Sequence, residues 1–226
     1  MTQQTLDGAI SRMVQAVTAA PPSIAAEIDR FHGVRAKTLT VLCEVTPEQA
    51  LWSPAAGVWS IAQNADHLLR SEELYREQIL RVIGLAQAGK GTSVQISLRE
   101  VNTFVAFIPP DMTPLFEIPM RVFNFFVPSV FREVMVRYPL VAARNPTVSE
   151  PRFGLTAEKL ALDMAASLIE TEKIFSGPLP ANVEELTIDH PILGNNTIAQ
   201  MVRIMTAHEE RHQGQMAGVR SNPKFP

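Results

Sequence analysis

Residues 196–219 read NTIAQMVRIMTAHEERHQGQMAGV, and this stretch decides the fold. Thr197 and Gln200 stand at the spacing of a capping box, in which an N-cap hydroxyl and a Gln three residues on satisfy each other's backbone N–H groups. Behind them Ile198, Met201, Val202, Met205, Met216 and Val219 recur at helical spacing. His208 and His212 occupy positions in that same apolar row. An i,i+4 pair puts both rings on one face of the helix, one turn apart. A buried imidazole without a partner costs ~1–3 kcal/mol. Two in one row therefore need facing carboxylates or backbone acceptors, or one divalent metal that satisfies both at once.

A second stretch starts in the same way. Ser60 and Gln63 have capping-box spacing and open a pattern that runs to Ala88, where Gly89-Lys90-Gly91 closes it. Its main apolar row is Ile61, Ala65, Leu68, Tyr75 and Ile79. His67 lies roughly 100–120° to one side of that row, on a flank with Asn64, Ser71, Leu74 and Gln78. In a helical bundle each helix touches two neighbours, so such a flank still faces inward. Three neutral imidazoles around one point hold a divalent metal and leave a position for water or substrate. His67, His208 and His212 are the candidates.

Two further helices are expected at Ser23–Val45 and Thr156–Phe175, and a short one at Thr5–Ala19. Pro21-Pro22, Thr46-Pro47 and Gly177-Pro178 supply stops. Four helices of this length imply an all-α, antiparallel four-helix bundle, with 1–226 as a single domain. Between the second and third bundle helices lies a long Pro/Phe-rich insertion, Thr92–Glu150. Its seven phenylalanines between 104 and 131 make it too apolar for a free linker, and its prolines forbid one long helix. Phe104–Tyr138 is expected to pack as broken helices across the bundle, forming either a lid over the histidines or a homodimer contact.

Composition narrows the function. A net charge of -3 and a pI near 6.0 give no footprint for nucleic acid. The most apolar region, Leu115–Leu140, is broken by charges and prolines, so no membrane span is expected. The start of the chain lacks a basic segment followed by an apolar one, and the single cysteine, Cys43, cannot form a disulfide within the chain; a cytoplasmic protein is expected. Cys43 is expected in the core, as are Met201, Met205 and Met216. His190, before Pro191, is expected in an extended loop, and His32 at or near the surface. Trp52 and Trp59 are expected to wedge the end of the bundle.

His208-Glu209-Glu210-Arg211-His212 also matches the zinc-protease pattern H-E-x-x-H, with Glu209 as base. The third histidine of the extended form is missing, since residue 218 is Gly, and only 14 residues follow His212. Glu209 and Glu210 project about 100–200° from His208 and Glu72 about 140° from His67, so none is well placed as a base. Gln215 shares the His212 face.

Taken together, Trp59-Ser60, His67-Leu68, His190-Pro191-x-x-Gly194-x-x-Thr197 and His208-x-x-x-His212-x-Gly214-Gln215 resemble the DinB/YfiT-like superfamily. The resemblance implies a four-helix bundle with a histidine triad on its second and fourth helices, here His67, His208 and His212. It implies a divalent metal, nickel or zinc, and an activity such as a hydrolase or a thiol S-transferase. A small-molecule substrate or thiol cofactor, and a second copy of the chain, would be the partners. The long Thr92–Glu150 segment departs from the family pattern. The alternative is a non-catalytic bundle with a structural or vestigial metal site that serves binding.

Overall fold

The computed structural model describes residues 20–97, 134, 136–137, 149–191 and 193–226. In chain order α1 is Pro22–Glu44, α2 Pro47–Leu51, α3 Ile61–Gln87, α4 Ala157–Ser176 and α5 Ile198–Arg220. Three short strands accompany them: β1 Ser93–Gln95, β2 Thr187–His190 and β3 Gly194–Thr197. The expected helix at Thr5–Ala19 lies outside the described residues, as does the expectation for Phe104–Tyr138 beyond Val134, Val136 and Arg137. No described helix is long and apolar enough to cross a membrane.

Local sequence sets the helix ends. Both capping boxes form: the Gln63 N–H donates to Ser60 Oγ and the Ser60 N–H to Gln63 Oε1, with the same reciprocal pair between Thr197 and Gln200. Thr156 caps α4 through the Lys159 N–H. A third box, Thr46 with Gln49, starts the short α2, where only a helix stop was expected. Gly89 ends α3 with φ of 65°. There the Lys90 N–H donates to Leu85 O and the Gly89 N–H to Ala86 O, the paired bonds of a Schellman turn that needs a left-handed residue.

The four long helices pack in a ring in which α1 and α3 each contact both α4 and α5. Side-chain pairs give their directions. Glu27 meets Arg203, Arg35 meets Glu209 and Glu44 meets Arg220, so α1 and α5 run the same way. Asp66 meets Arg152 and Gln87 reaches Pro178, so α3 and α4 also run together. His32 meets Glu172 while Arg35 meets Met164, so α1 and α4 oppose. The helices thus run up, down, down, up. The expectation of antiparallel neighbours throughout needs this correction. Parallel neighbours require a long return, and the stretch between α3 and α4 is long enough to provide it.

The expectation of an all-α chain is also corrected. β1 pairs parallel with β2, and β2 antiparallel with β3, which runs straight into α5. Val94, Ile96 and Ile188 bury against the helices at that end. Gly194, with φ of 70°, sits opposite His190 and closes the hairpin. Strands of three and four residues are too short for an alternation signal.

The apolar core is divided. One cluster, at the sheet end, holds Ile24, Ile28, Phe31, Ile79, Val82, Leu168, Phe175 and the first half of α5. The other holds Leu39, Leu42, Ile61, Leu68, Leu160, Met164, Met216 and Val219. Met201, Met205 and Met216 are core residues, as expected. Cys43 is exposed instead of buried, because Leu39 and Leu42 take the inward face of α1.

Between the clusters runs a polar layer centred on Arg35, whose side chain is 0% exposed. Arg35 Nε donates to both oxygens of Glu209 at 2.9 and 3.1 Å, Nη2 to Glu209 and Glu72 at 2.8 Å each, and Nη1 to Met164 O at 2.9 Å. Thr38 Oγ1 donates to Glu209 and Thr171 Oγ1 to Glu72. Burial opposes the charge on Arg35, but the carboxylates of Glu209 and Glu72 outweigh it and hold the guanidinium pKa above its usual value. Removing one partner of such a set strands the others in a dry interior. Arg35→Ala is expected to lower unfolding stability in urea by about 3–5 kcal/mol. Arg220→Ala, which breaks the exposed pair with Glu44, should cost less than about 1 kcal/mol. Similar midpoints for the two variants would show that the layer does not hold the helices.

Candidate metal centre

His67 projects from the second turn of α3, and His208 and His212 from the third and fourth turns of α5. The three side chains converge, with one ring nitrogen of each lying within 4.8 Å of the others. His67 Nε2 is 3.2 Å from His208 Nε2, and His212 Nε2 is 3.1 Å from the same atom. His67 and His212 are buried, and His208 is partly exposed. Although His67 sits to one side of the apolar row, α5 packs against that flank and closes over it.

The surrounding bonds fix which nitrogen faces the centre. His67 Nδ1 donates to Ser149 O at 2.7 Å. His212 Nδ1 donates to Asn64 Oδ1 at 2.8 Å. The Asn64 amide cannot be turned round, because its Nδ2 donates to Ser60 O at 2.9 Å and to Trp59 O at 3.4 Å. Both rings are therefore Nδ1–H tautomers, and both Nε2 atoms present lone pairs to the centre. His208 Nε2 can donate its single proton to only one of them. At least one buried lone pair is left facing another nitrogen, an arrangement that costs energy unless a cation occupies the middle.

A divalent metal fits this donor set. Imidazole nitrogens suit zinc and nickel. Tetrahedral zinc at ~2.0–2.1 Å from each nitrogen would space the ligands by ~3.3 Å, close to the two separations seen. Metal ligation needs neutral imidazole, and the site enforces it. Burial holds His67 below its usual pKa. Burial, then the neighbouring imidazoles and Arg211, hold His208 well below and push His212 down to about 2.

Several neighbours support the triad. Asp66, beside His67, accepts from the Arg152 backbone N–H at 2.6 Å and pairs with its guanidinium. Residues 149–152 are thus held by two successive residues of α3. Trp59 stacks on His212 at 5.9 Å with 20° between the planes, and tilts over His67 at 4.8 Å. Its expected role as a wedge at the helix ends is corrected, since it lies against the triad. Trp52, edge-on to Phe225, does pack at the end of the bundle away from the sheet. Gln215 lines a cavity beside His212.

The remaining candidates lie apart from the centre. Glu209 and Glu72 are held by Arg35, and Glu210 pairs with Arg137 and Arg30. His190 is in β2 rather than a loop, and its Nδ1 accepts the Leu193 N–H at 3.1 Å within the hairpin. His32 is partly buried, 2.5 Å from Glu172. The roles of Ser149, Asn64 and Trp59 went unpredicted. For Asn64 a signal existed, since it shares the His67 flank one turn earlier.

The family model described as the DinB superfamily matches residues 30–216. That span is most of the chain and includes all three histidines, so the chain belongs to the DinB superfamily. No curated protein and no solved structure matches it.

Second-layer hydrogen bonds of this kind typically change metal affinity 10–100-fold. Asn64→Leu removes the acceptor of His212 without touching a histidine. Its divalent-metal Kd, read by chelator competition, is expected to rise by about that factor while the fold stays intact by circular dichroism. An unchanged Kd would mean that Asn64 does not orient the ring for metal.

Proposed function

We propose that this member of the DinB superfamily is a metal-dependent enzyme in which His67, His208 and His212 bind one divalent ion, zinc or nickel. The observation that carries the reading is the pair of fixed tautomers. Ser149 O and Asn64 Oδ1 turn two lone pairs toward His208 Nε2 and leave the space between them short of a proton. A structural zinc site needs a fourth protein ligand. Among the described residues the cluster contains three histidines and no cysteine or carboxylate, and a cavity borders it at His212. This favours a catalytic site over a structural one. On the same reading the frame is a four-helix bundle, with residues 92–150 as an insertion.

An ion held there would supply a Lewis acid that favours the deprotonated form of a water or thiol bound to it. The protein's own contribution is orientation and exclusion. Ser149 and Asn64 set the ring planes, Trp59 covers one side, and burial keeps the imidazoles neutral. Among the described residues no acid beside the triad is available as a general base. Glu209, Glu72, Asp66 and Glu210 lie on the same helices, and each is engaged by an arginine. A reactant that ionises readily therefore suits the site best. A thiol, with a pKa of about 8.5, needs far less help than water at about 15.7, so thiol S-transfer is favoured over hydrolysis.

Protein purified without added metal is expected to carry about one divalent ion per chain by elemental analysis, as one three-ligand site allows. His208→Ala and His212→Ala should lose it. Consumption of a small thiol in the presence of an electrophile should stop on chelation and return with zinc or nickel. Full metal content in His208→Ala would refute the ligand assignment, and turnover that survives chelation would refute the metal-dependent reaction.

A further inference from the structure

A cavity of about 430 Å³ opens beside the triad, bounded by Val58, Trp59, Asn64, Arg211, His212 and Gln215 among others. That volume is within the range of small-molecule sites. Its described lining contains one charged side chain, Arg211, and no carboxylate. Arg211 is partly buried and makes no hydrogen bond or ion pair with any described residue. The neighbouring arginines differ: Arg30, Arg35, Arg76, Arg152, Arg203 and Arg220 each pair with an acid. A partly buried guanidinium left without a counter-charge is costly unless something brings one. His212 lines the same cavity, so an anion on Arg211 would sit close to the metal position.

From this geometry we infer that Arg211 binds a carboxylate group of the substrate in the cavity against His212 and Trp59. The guanidinium fork offers two parallel N–H donors that match a carboxylate, and the Gln215 amide on the same wall adds a third polar group. One cation balances one negative charge, which suits a monocarboxylate better than a phosphate dianion. Trp59 and Val58, itself 44% exposed, provide an apolar wall for the rest of the molecule. The inference deepens the metal-dependent reading by naming the substrate class, and it rests on that reading only for what happens after the anion is seated.

The test uses fluorescence of the full chain carrying Trp52→Phe, which leaves Trp59 as the reporter, since the chain has two tryptophans. Benzoate and its neutral analogue benzamide are titrated at constant ionic strength, into protein as purified and after chelation, with metal content measured on each sample. Benzoate should give a saturable change in both preparations, and benzamide should not. Arg211→Gln should raise the benzoate Kd about 10-fold or more, the usual loss for a charge-assisted hydrogen bond, with its metal content unchanged. Arg211→Lys, which keeps the charge without the fork, should show a smaller rise and serves if the Gln variant does not fold. Equal binding of benzamide, no response to benzoate, wild-type affinity in Arg211→Gln, or binding that vanishes on chelation would each overturn the assignment. The last result would place the carboxylate on the metal. Arginine-dependent binding in protein that never carries metal would leave the inference standing and remove the metal reading instead.

Discussion

The buried guanidinium of Arg35 is the constraint on which the rest of the molecule depends. It lies between two apolar clusters and bonds to all three of the other long helices: Glu72 on α3, Met164 O on α4 and Glu209 on α5. Hydrophobic contact alone would let helices slide or rotate at modest cost, because it is not directional. A charged group with a partner on every nitrogen in a dry layer restricts the register sharply. The same register puts α3 and α5 at the height where His67 meets His208 and His212. Glu209 shows the coupling most directly. It lies between the two histidines in sequence and projects about 100° round the helix from His208, into the layer. The residue that would be the base of a zinc protease is here an anchor that fixes the ligand helix in rotation.

The same use of adjacent residues recurs on α3. Asp66 and His67 face different directions, yet both hold the segment that leads into α4, through the Arg152 N–H and Ser149 O. The up, down, down, up order of the helices makes this possible. Because α3 and α4 run the same way, the chain must return to the starting end of α3 before α4 begins, and that end carries His67. The long connection thus ends on the triad. A simple alternating bundle would bring the start of α4 to the opposite end and leave His67 Nδ1 without this acceptor.

Sequence disclosed the parts of this that are local. Ser60 with Gln63 and Thr197 with Gln200 identify two helix starts, because a capping box is written within four residues. His208 and His212 can be placed on one face by spacing alone. The distant pairings were not legible. Nothing near Arg35 names Glu209 or Glu72 as its partners, since a buried ion pair joins residues far apart in the chain. Helix direction was missed because local periodicity carries no information about which neighbours run parallel. Trp59 could be located next to the helix start, but its stacking on His212 depends on how α5 docks. The strands were too short to announce themselves, and β3, Gly-Asn-Asn-Thr, has no apolar residue at all. Cys43 was misplaced by one position of helical phase.

These observations bear jointly on what chemistry the site can support. Asp66, Glu72, Glu209 and Glu210, on the helices that carry the triad, each pair with an arginine, and burial keeps each imidazole of the triad below its usual pKa. The centre is therefore a neutral, lone-pair-rich point with a net positive neighbour in Arg211. Such a site cannot take up a proton readily, because the groups that could do so are charge-balanced or desolvated. It can lower the energy of negative charge that a reactant brings or develops, since the described cavity lining holds no carboxylate to repel it. A reaction that begins with an anion and ends with an anion, without passing a proton to the protein, matches that electrostatic character. General acid–base chemistry would require one of these arginine–carboxylate pairs to open, and Arg35 with Glu209, on the helix that carries two of the ligands, is the one the fold can least allow to break.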